Sequence, residues 1–478
     1  MKKKKQNIGY LLIVTLLVLP IWTGKKFGHL DVEQIIFLMM SDKQGTTIDW
    51  PMIFSFFIFF VPIWLITLIV IRFNILDNFK ITQKQFKYII GFLLICTLFI
   101  YNYQFKITSF FKHNSEYSQL YENYYANPDS IKLMFPPKKR NLIYIYLESM
   151  EVNYDDIHIE GVDNSLIPHL KDIATKYTSF SHTDSFGGAR EIKGTSWTAA
   201  SLVAQTSGIP IQIDSFNVGF NEEMGFLPGV TTIGEILEKE GYRNYFLIGS
   251  DAKFGGRETY FKTHGNYEIL DLKHYKDIGK LPSDYNIFWG YEDAKLFSYA
   301  KEELLEIAKS DSPFNFTMLT VDSHFSEGYT DLSCDFYFEE PYANAIYCSN
   351  RKVYDFVKWI QAQDFYENTT IILVGDHLTM NHKFTALMNN QDRRIYNAFI
   401  NSDFKNFDFE YMINREFSVL DMFPTTLASL GVEIEGNRLG LGSNLMSNEK
   451  TLLEQMSIEE LEEMISKKSI YYNMKFIE

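Results

Sequence analysis

The sequence predicts an α/β domain on a mostly parallel sheet flanked by helices, preceded by an all-helical transmembrane anchor. Three observations predict it. Long apolar runs are confined to the first 105 residues or so, and the rest alternates as a soluble protein does. Short β-rich runs at 141–148, 314–321 and 368–374 lead into Glu148, Asp322-Ser323-His324 and Gly375-Asp376-His377 in turn. Helical patterns at 233–240 and 293–309 fall among them. Strands that alternate with helices build parallel sheets, and open sheets of this kind bind ligands past the carboxyl ends of their strands. The polar residues collect at those ends.

The anchor follows from charge-free stretches about a bilayer wide, at 8–23, 50–71 and 88–105. The first follows Lys2–Lys5, as in a signal peptide, but no small-residue cleavage site comes after it, so it reads as a retained helix. Lys2–Lys5 and the second loop (Arg72, Lys80, Lys84, Lys87) are basic, whereas acids dilute Lys25, Lys26 and Lys43 in the first loop. The positive-inside bias puts the tail and second loop in the cytoplasm. Three crossings then place everything after about residue 106 outside the cytoplasmic membrane, on the periplasmic or extracellular side. The apolar segment 35–40 is too short to span and is expected in the interface or as a short helix of the outer loop.

The expected organisation is an anchor over 1–105, a juxtamembrane linker over 106–140, a catalytic domain over 141–446 and a helical tail over 447–478. The tail is acidic and amphipathic, in the manner of a structural cap. A net charge of −15 leaves no basic excess to neutralise a nucleic acid, though it permits a local cationic pocket for one phosphate. Cys96 lies in an apolar run. Cys334 and Cys348 flank a polar stretch, and their spacing alone leaves a disulfide and two separate thiols equally open.

The strand ends supply Glu148, Asp376 with His377, and His324. Two carboxylates and an imidazole suit a divalent cation, manganese first, with magnesium or zinc as alternatives. The segment Gly194-Thr195-Ser196-Trp197-Thr198 precedes a helical run. A hydroxyl at a helix N-terminus meets free N–H groups and the positive end of the helix dipole, which favour an anionic phosphate. A lone threonine there is ordinarily an N-cap. Its promotion to nucleophile needs the neighbouring cation site to activate it.

The motifs Glu148-Ser149-Met150, Gly194-Thr195-Ser196, Ser323-His324-Phe325 and Gly375-Asp376-His377 resemble those of the sulfatase-like phosphoglycerol transferases. That family includes lipoteichoic acid synthases and enzymes that decorate periplasmic glucans. The segments 195–210, 241–265 and 374–381, with Cys334 and Cys348, resemble the glucan-decorating branch more closely, which strengthens the disulfide reading. The resemblance covers about residues 140–445 and implies an alkaline-phosphatase/sulfatase-like fold. It also implies that Glu148, Thr195, Asp376 and His377 surround one metal, with Thr195 as nucleophile. Thr198 is then the alternative nucleophile or a phosphate contact, and His324 and Arg257 bind substrate. Lipoteichoic acid synthases carry a tryptophan where this chain has Gly255. His182, Arg190, Lys193, His382, Asp392 and Arg393 rank lower as site residues.

The implied reaction moves phosphoglycerol from phosphatidylglycerol to a cell-envelope glycan or glycolipid, through a phosphothreonine-type intermediate, and releases diacylglycerol. Phosphoethanolamine transfer, phosphodiester hydrolysis and a binding protein on the same fold are the rivals. The chain lacks the C/S-x-P-x-R pattern from which sulfatases make formylglycine, which argues against sulfate ester hydrolysis.

Overall fold

The computed structural model describes the chain except residues 1, 29, 31, 42–49, 74–82, 160–164, 214–216, 222–223 and 406. It forms two compact units, one of residues 1–35 with 47–112 and one of 36–46 with 113–478.

The first unit is helical: α1 (Lys2–Phe27), α2 (Trp50–Arg72) and α3 (Gln83–Phe105). The Trp64 indole N–H donates to Thr15 Oγ1 at 2.8 Å, and the Tyr101 hydroxyl donates to the Leu16 carbonyl at 2.9 Å. Such bonds tie helices together where no water competes for the polar atoms. Phe54, Ile58, Leu65 and Ile66 stand exposed on α2, apolar surface of the kind that lipid covers. Among the described residues, Met52–Arg72 is the one helix long and apolar enough to cross a membrane, with mean hydropathy 2.7. A second is reached only if Leu11–Phe27 and Val32–Met40 count as one broken span, and the apolar part of α3, Gly91–Phe105, is shorter. The three expected spans thus meet one clear span. Lys43 and Lys80 lie outside the described residues, as do the side chains of Lys2–Lys5 and Lys87, so the charge reading of orientation stands on sequence alone. The segment expected near 35–40 is helical over Val32–Met40.

The second unit is built on a six-stranded sheet: β1 (Asn141–Leu147), β2 (Arg243–Ile248), β3 (Glu268–Leu270), β4 (Phe314–Leu319), β5 (Thr369–Gly375) and β6 (Asn397–Ile400). Their order is β3-β2-β4-β1-β5-β6. All neighbours are parallel except the edge strand β6, which runs antiparallel to β5. The runs 141–147, 314–319 and 369–375 are the three central strands, almost wholly buried, because helices cover both faces of a parallel sheet. Strands β2, β3 and β6 lay outside the sequence reading. They are shorter or begin on charged residues, and so carry a weaker apolar signature. The long helices are Asp293–Ile307 and Pro341–Gln361. Cys348 of the second is joined to Cys334 in a disulfide that closes the preceding loop.

From residue 113 on, the stretch expected as linker is folded into this unit. Leu133–Met134 pairs with Glu433–Ile434, and Tyr121 packs its ring on Tyr471, Tyr472 and Phe476 of the C-terminal tail. Its aromatic residues bury apolar area that a free linker would expose. The tail caps the fold as expected: Leu461 and Ile465 of its helix are buried. Gln212 Nε2 donates to the Ile465 carbonyl at 2.7 Å.

Candidate active site

Adjacent parallel strands deliver their last residues to one edge of the sheet. Glu148 directly follows β1 and Asp376 directly follows β5, so the register that pairs Leu147 with Gly375 sets the two carboxylates side by side. His377 comes next. Its Nε2 lies 3.6 Å from Glu148 Oε1 and 3.5 Å from Asp376 Oδ2, with both carboxylates and the imidazole buried. The site can accept a cation: one ligand atom from each of the three lies within 4.8 Å of the others.

The surrounding hydrogen bonds leave one carboxylate oxygen of the cluster, Asp376 Oδ2, bare. Asp376 Oδ1 accepts from the backbone N–H groups of Ser149 and His377, both at 2.7 Å. Asp376 Oδ2 is buried without a hydrogen-bond partner. A buried carboxylate oxygen so placed is costly unless a cation or proton meets it. The Nδ1–H of His377 donates to the Leu378 carbonyl at 2.9 Å, which directs Nε2 to the carboxylates. Burial raises the Asp376 carboxyl to about 7, with the Glu148 charge adding to it. Burial opposes charge on His377 too, but the Asp376 and Glu148 carboxylates outweigh it and push the imidazole up to about 9. In the metal-free protein a proton on His377 offsets the acids, and a divalent cation would displace it. The donor set of two oxygens and one imidazole nitrogen fits such an ion.

Ser149 stands at the sharp turn after β1 with a positive φ of 51°. That strained turn lets its N–H reach Asp376 and its hydroxyl hold Glu148 Oε1 at 2.7 Å. Behind it, fully buried Glu151 receives a two-pronged ion pair from Arg393, which also donates to the Thr379 carbonyl at 2.8 Å. Arg393→Ala would leave Glu151 buried and unpaired, an expected loss of about 3–5 kcal/mol. A large fall in the thermal midpoint, partly restored by adding Glu151→Gln, checks it.

The helix α4 (Thr198–Ser207) brings the hydroxyl. Thr198 is its first residue, and Thr198 Oγ1 lies 3.4 Å from His377 Nε2. One turn on, the Ser201 hydroxyl donates to the Asp376 carbonyl. A further turn on, Gln205 Nε2 donates to the Gly375 carbonyl at 3.1 Å. These bonds fasten α4 to the end of β5. Thr195 lies three residues before Thr198. It is fully buried, and its hydroxyl donates to the Ile192 carbonyl at 2.7 Å, closing the turn before the helix. Of the expected ligand set, Glu148, Asp376 and His377 lie together, and the threonine hydroxyl found beside them is that of Thr198. Ser201→Ala should slow transfer roughly fivefold through loss of about 1 kcal/mol of positioning. Pre-steady-state adduct formation measures it.

Arg257 follows two glycines, Gly255 and Gly256, whose φ values of 69° and 75° only glycine adopts freely. Its Nη2 donates to Ser250 Oγ at 3.2 Å and to the Asp251 carbonyl at 3.0 Å, while Nε is buried without a partner. Burial lowers the guanidinium to about 10, against the pull of Glu148, Asp251, Asp271 and Asp376. It remains a cation, with a donor to spare, in the field of the site. His324 lies five residues past β4. Its Nδ1–H donates to the Phe325 carbonyl at 2.6 Å, and burial lowers it to about 4, so Nε2 keeps a lone pair.

Of the lower-ranked residues, Asp392 forms ion pairs with Arg190 and Arg394, and His182 faces it at 3.7 Å. These belong to a separate charged cluster. Ser149, Ser201, Gln205 and Glu191, whose Oε2 accepts from the Leu378 N–H at 2.8 Å, escaped the sequence reading. Thr198, Ser201 and Gln205 do carry a signal: a polar stripe at helical spacing over 198–205, where the other residues are apolar.

Residues 140–432, more than half of the chain, match the sulfatase family model. The chain belongs to the sulfatase family. Among sulfatase-family relatives it is 30% identical over 319 residues to phosphoglycerol transferase I of Xanthomonas campestris, covering 65% of this chain and 43% of that protein. It is 30% identical over 332 residues to phosphoglycerol transferase I of Escherichia fergusonii, covering 68% and 41%. The chain thus spans less than half the length of these relatives. In fold it is similar to the lipoteichoic acid synthase LtaP of Listeria monocytogenes, with TM-score 0.50, 18% identity and coverage of 66% and 79%. It is likewise similar to the lipooligosaccharide phosphoethanolamine transferase EptA of Neisseria meningitidis, with TM-score 0.50, 16% identity and coverage of 88% and 84%.

Proposed function

We propose that the protein transfers phosphoglycerol from phosphatidylglycerol to a cell-envelope glycan or glycolipid, through a covalent intermediate on Thr198. The observation that carries this is the Thr198 hydroxyl at the N-terminus of α4, 3.4 Å from His377 Nε2 in the acid–histidine cluster. The similarity to proteins named phosphoglycerol transferase I supports the choice of transferred group. Glu148, Asp376 and His377 would hold a divalent cation, manganese first, with Thr198 completing the set. Bound there, the cation supplies positive charge that eases deprotonation of the threonine and offsets charge on the phosphoryl oxygens.

The chain's own groups define the steps. Arg257 binds the phosphodiester through its free donor and orients it. The N-terminus of α4 aims its unpaired N–H groups at the same anion. Thr198 Oγ forms the bond to phosphorus as the bond to the diacylglycerol oxygen breaks, and the hydroxyl proton ends on that oxygen. The acceptor hydroxyl then forms its bond to phosphorus as the bond to Thr198 Oγ breaks; its proton passes to His324 Nε2 and from there to Thr198 Oγ, which restores the hydroxyl. Two half-reactions through one covalent enzyme give ping-pong kinetics. The apolar helix Met52–Arg72 supports a membrane-embedded enzyme whose catalytic unit meets a lipid donor at the outer leaflet of the cytoplasmic membrane.

Phosphatidylglycerol and phosphatidylethanolamine, each labelled in the headgroup and offered separately with manganese, test the donor. Diacylglycerol release and label transfer from phosphatidylglycerol alone are expected. Transfer from phosphatidylethanolamine alone would overturn the donor assignment and keep the fold's chemistry.

A further inference from the structure

Beside His324, on the side of the β2 end, stands an aromatic turn that the transfer chemistry leaves unused. Phe288 and Trp289 lie at its tip. The turn is tight: the Ile287 N–H donates to the Gly290 carbonyl at 2.8 Å, and the Tyr291 N–H donates to Gly249 at 2.9 Å. Gly290 has a φ of 153°, and a Cβ there would come within 2.1 Å of the Gly249 carbonyl, so the turn is seated hard against the end of β2. This fixes Trp289 with its ring centroid 4.5 Å from that of His324 and 6.2 Å from that of Phe254, which it stacks upon. Phe254 in turn lies under the Arg257 guanidinium at 5.6 Å. On the other side Phe288 stacks on Tyr329 at 6.1 Å. All four aromatic rings are half-buried, and the neighbouring Asp284 and Asn286 are exposed and polar.

Half-buried aromatic rings beside a histidine, within a polar rim, have the chemistry of a carbohydrate subsite. A pyranose presents an apolar C–H face to the negative face of an aromatic ring and hydroxyls to the rim. An acyl chain would call instead for a closed apolar groove. The location selects the acceptor over the donor. Arg257 and the acid–histidine cluster take the phosphate, and His324 Nε2, bare because Nδ1 is bonded to Phe325, faces an incoming hydroxyl. We propose that Trp289, with Phe254 and Phe288, forms the platform on which the acceptor saccharide stacks, so that a sugar hydroxyl reaches His324. This rests on the transferase reading and adds the acceptor's class and its specificity residue.

The test compares full-length wild type, Trp289→Ala and Trp289→Phe in detergent, with phosphatidylglycerol as donor and a neutral glucose trisaccharide as acceptor. Adduct formation without acceptor reports the donor half-reaction. Transfer kinetics and saturation-transfer NMR of the trisaccharide, which needs no turnover, report the acceptor. Trp289→Ala should leave adduct formation within about twofold, raise the acceptor KM at least tenfold and abolish the NMR signal, while Trp289→Phe recovers most of the binding. Equal loss of adduct formation and transfer would put Trp289 in the donor pocket and overturn the proposal. So would a trisaccharide signal unchanged by Trp289→Ala. If Trp289→Ala fails to fold, Trp289→Leu, which keeps apolar bulk but no aromatic face, decides by the same two readouts. Absence of any adduct on the wild type would sink the transferase reading, while the NMR comparison still decides the saccharide platform.

Discussion

Thr198→Ala should abolish transfer, with a fall of about 10³-fold or more in the rate of diacylglycerol release, because it removes the hydroxyl proposed to carry the covalent intermediate. Thr198 Oγ1 is the hydroxyl brought to His377 Nε2, at 3.4 Å. Thr195→Ala should behave differently. It removes a fully buried hydroxyl that donates to Ile192 at 2.7 Å, so it costs about 1 kcal/mol of turn stability and leaves the adduct chemistry in place. Thr198→Ser, which keeps the hydroxyl, should retain measurable activity. Single-turnover kinetics of the three variants check the assignment. A dead Thr195→Ala beside an active Thr198→Ala would reverse it.

The second large effect concerns the cation. Asp376→Asn should cut affinity for manganese by at least about 10³-fold and transfer with it. The substitution removes a negative charge and puts an amide at the buried oxygen that no hydrogen bond satisfies. His377→Ala should do the same by removing Nε2. Metal content after gel filtration and the thermal shift on adding manganese are the readouts. Wild type should gain stability on binding, since a ligand that binds only the folded state stabilises it. Asp376→Asn should show no shift. A chelator should bring wild type to the variant's melting behaviour, with His377 then protonated beside its carboxylates. Undiminished metal content in Asp376→Asn would remove Asp376 from the ligand set.

Much of this site was legible in the residues, for physical reasons that differ from one to the next. Glu148 and Asp376 each end an apolar run that has no structural use for a charge, so strand ends in a parallel sheet marked them. His377 came with Asp376. The central strands were legible because a strand buried on both faces is apolar throughout. The edge strand β6 and the short β3 were not, since their burial depends on contacts distant in sequence. The nucleophile shows the limit most plainly. Thr195 stands three residues before Thr198, the first residue of the helix, and only the main-chain path through Gly194–Trp197 sets Thr198 Oγ1 beside His377 while the Thr195 hydroxyl bonds to Ile192. Trp289 was invisible for a related reason: it reaches His324 across two loops, and no local pattern pairs residues 289 and 324. The anchor was legible as apolar chain, while its span count depends on helix lengths that composition alone overstates.

The most direct test of the central claim is peptide mass spectrometry of the full-length protein after incubation with manganese and phosphatidylglycerol in the absence of acceptor. Fragment ions that separate Thr195 from Thr198 locate any adduct. The account predicts a glycerophosphoryl group on Thr198 and none on Thr195. An adduct on Thr195, or diacylglycerol release with Thr198 unmodified under rapid quench, would contradict it.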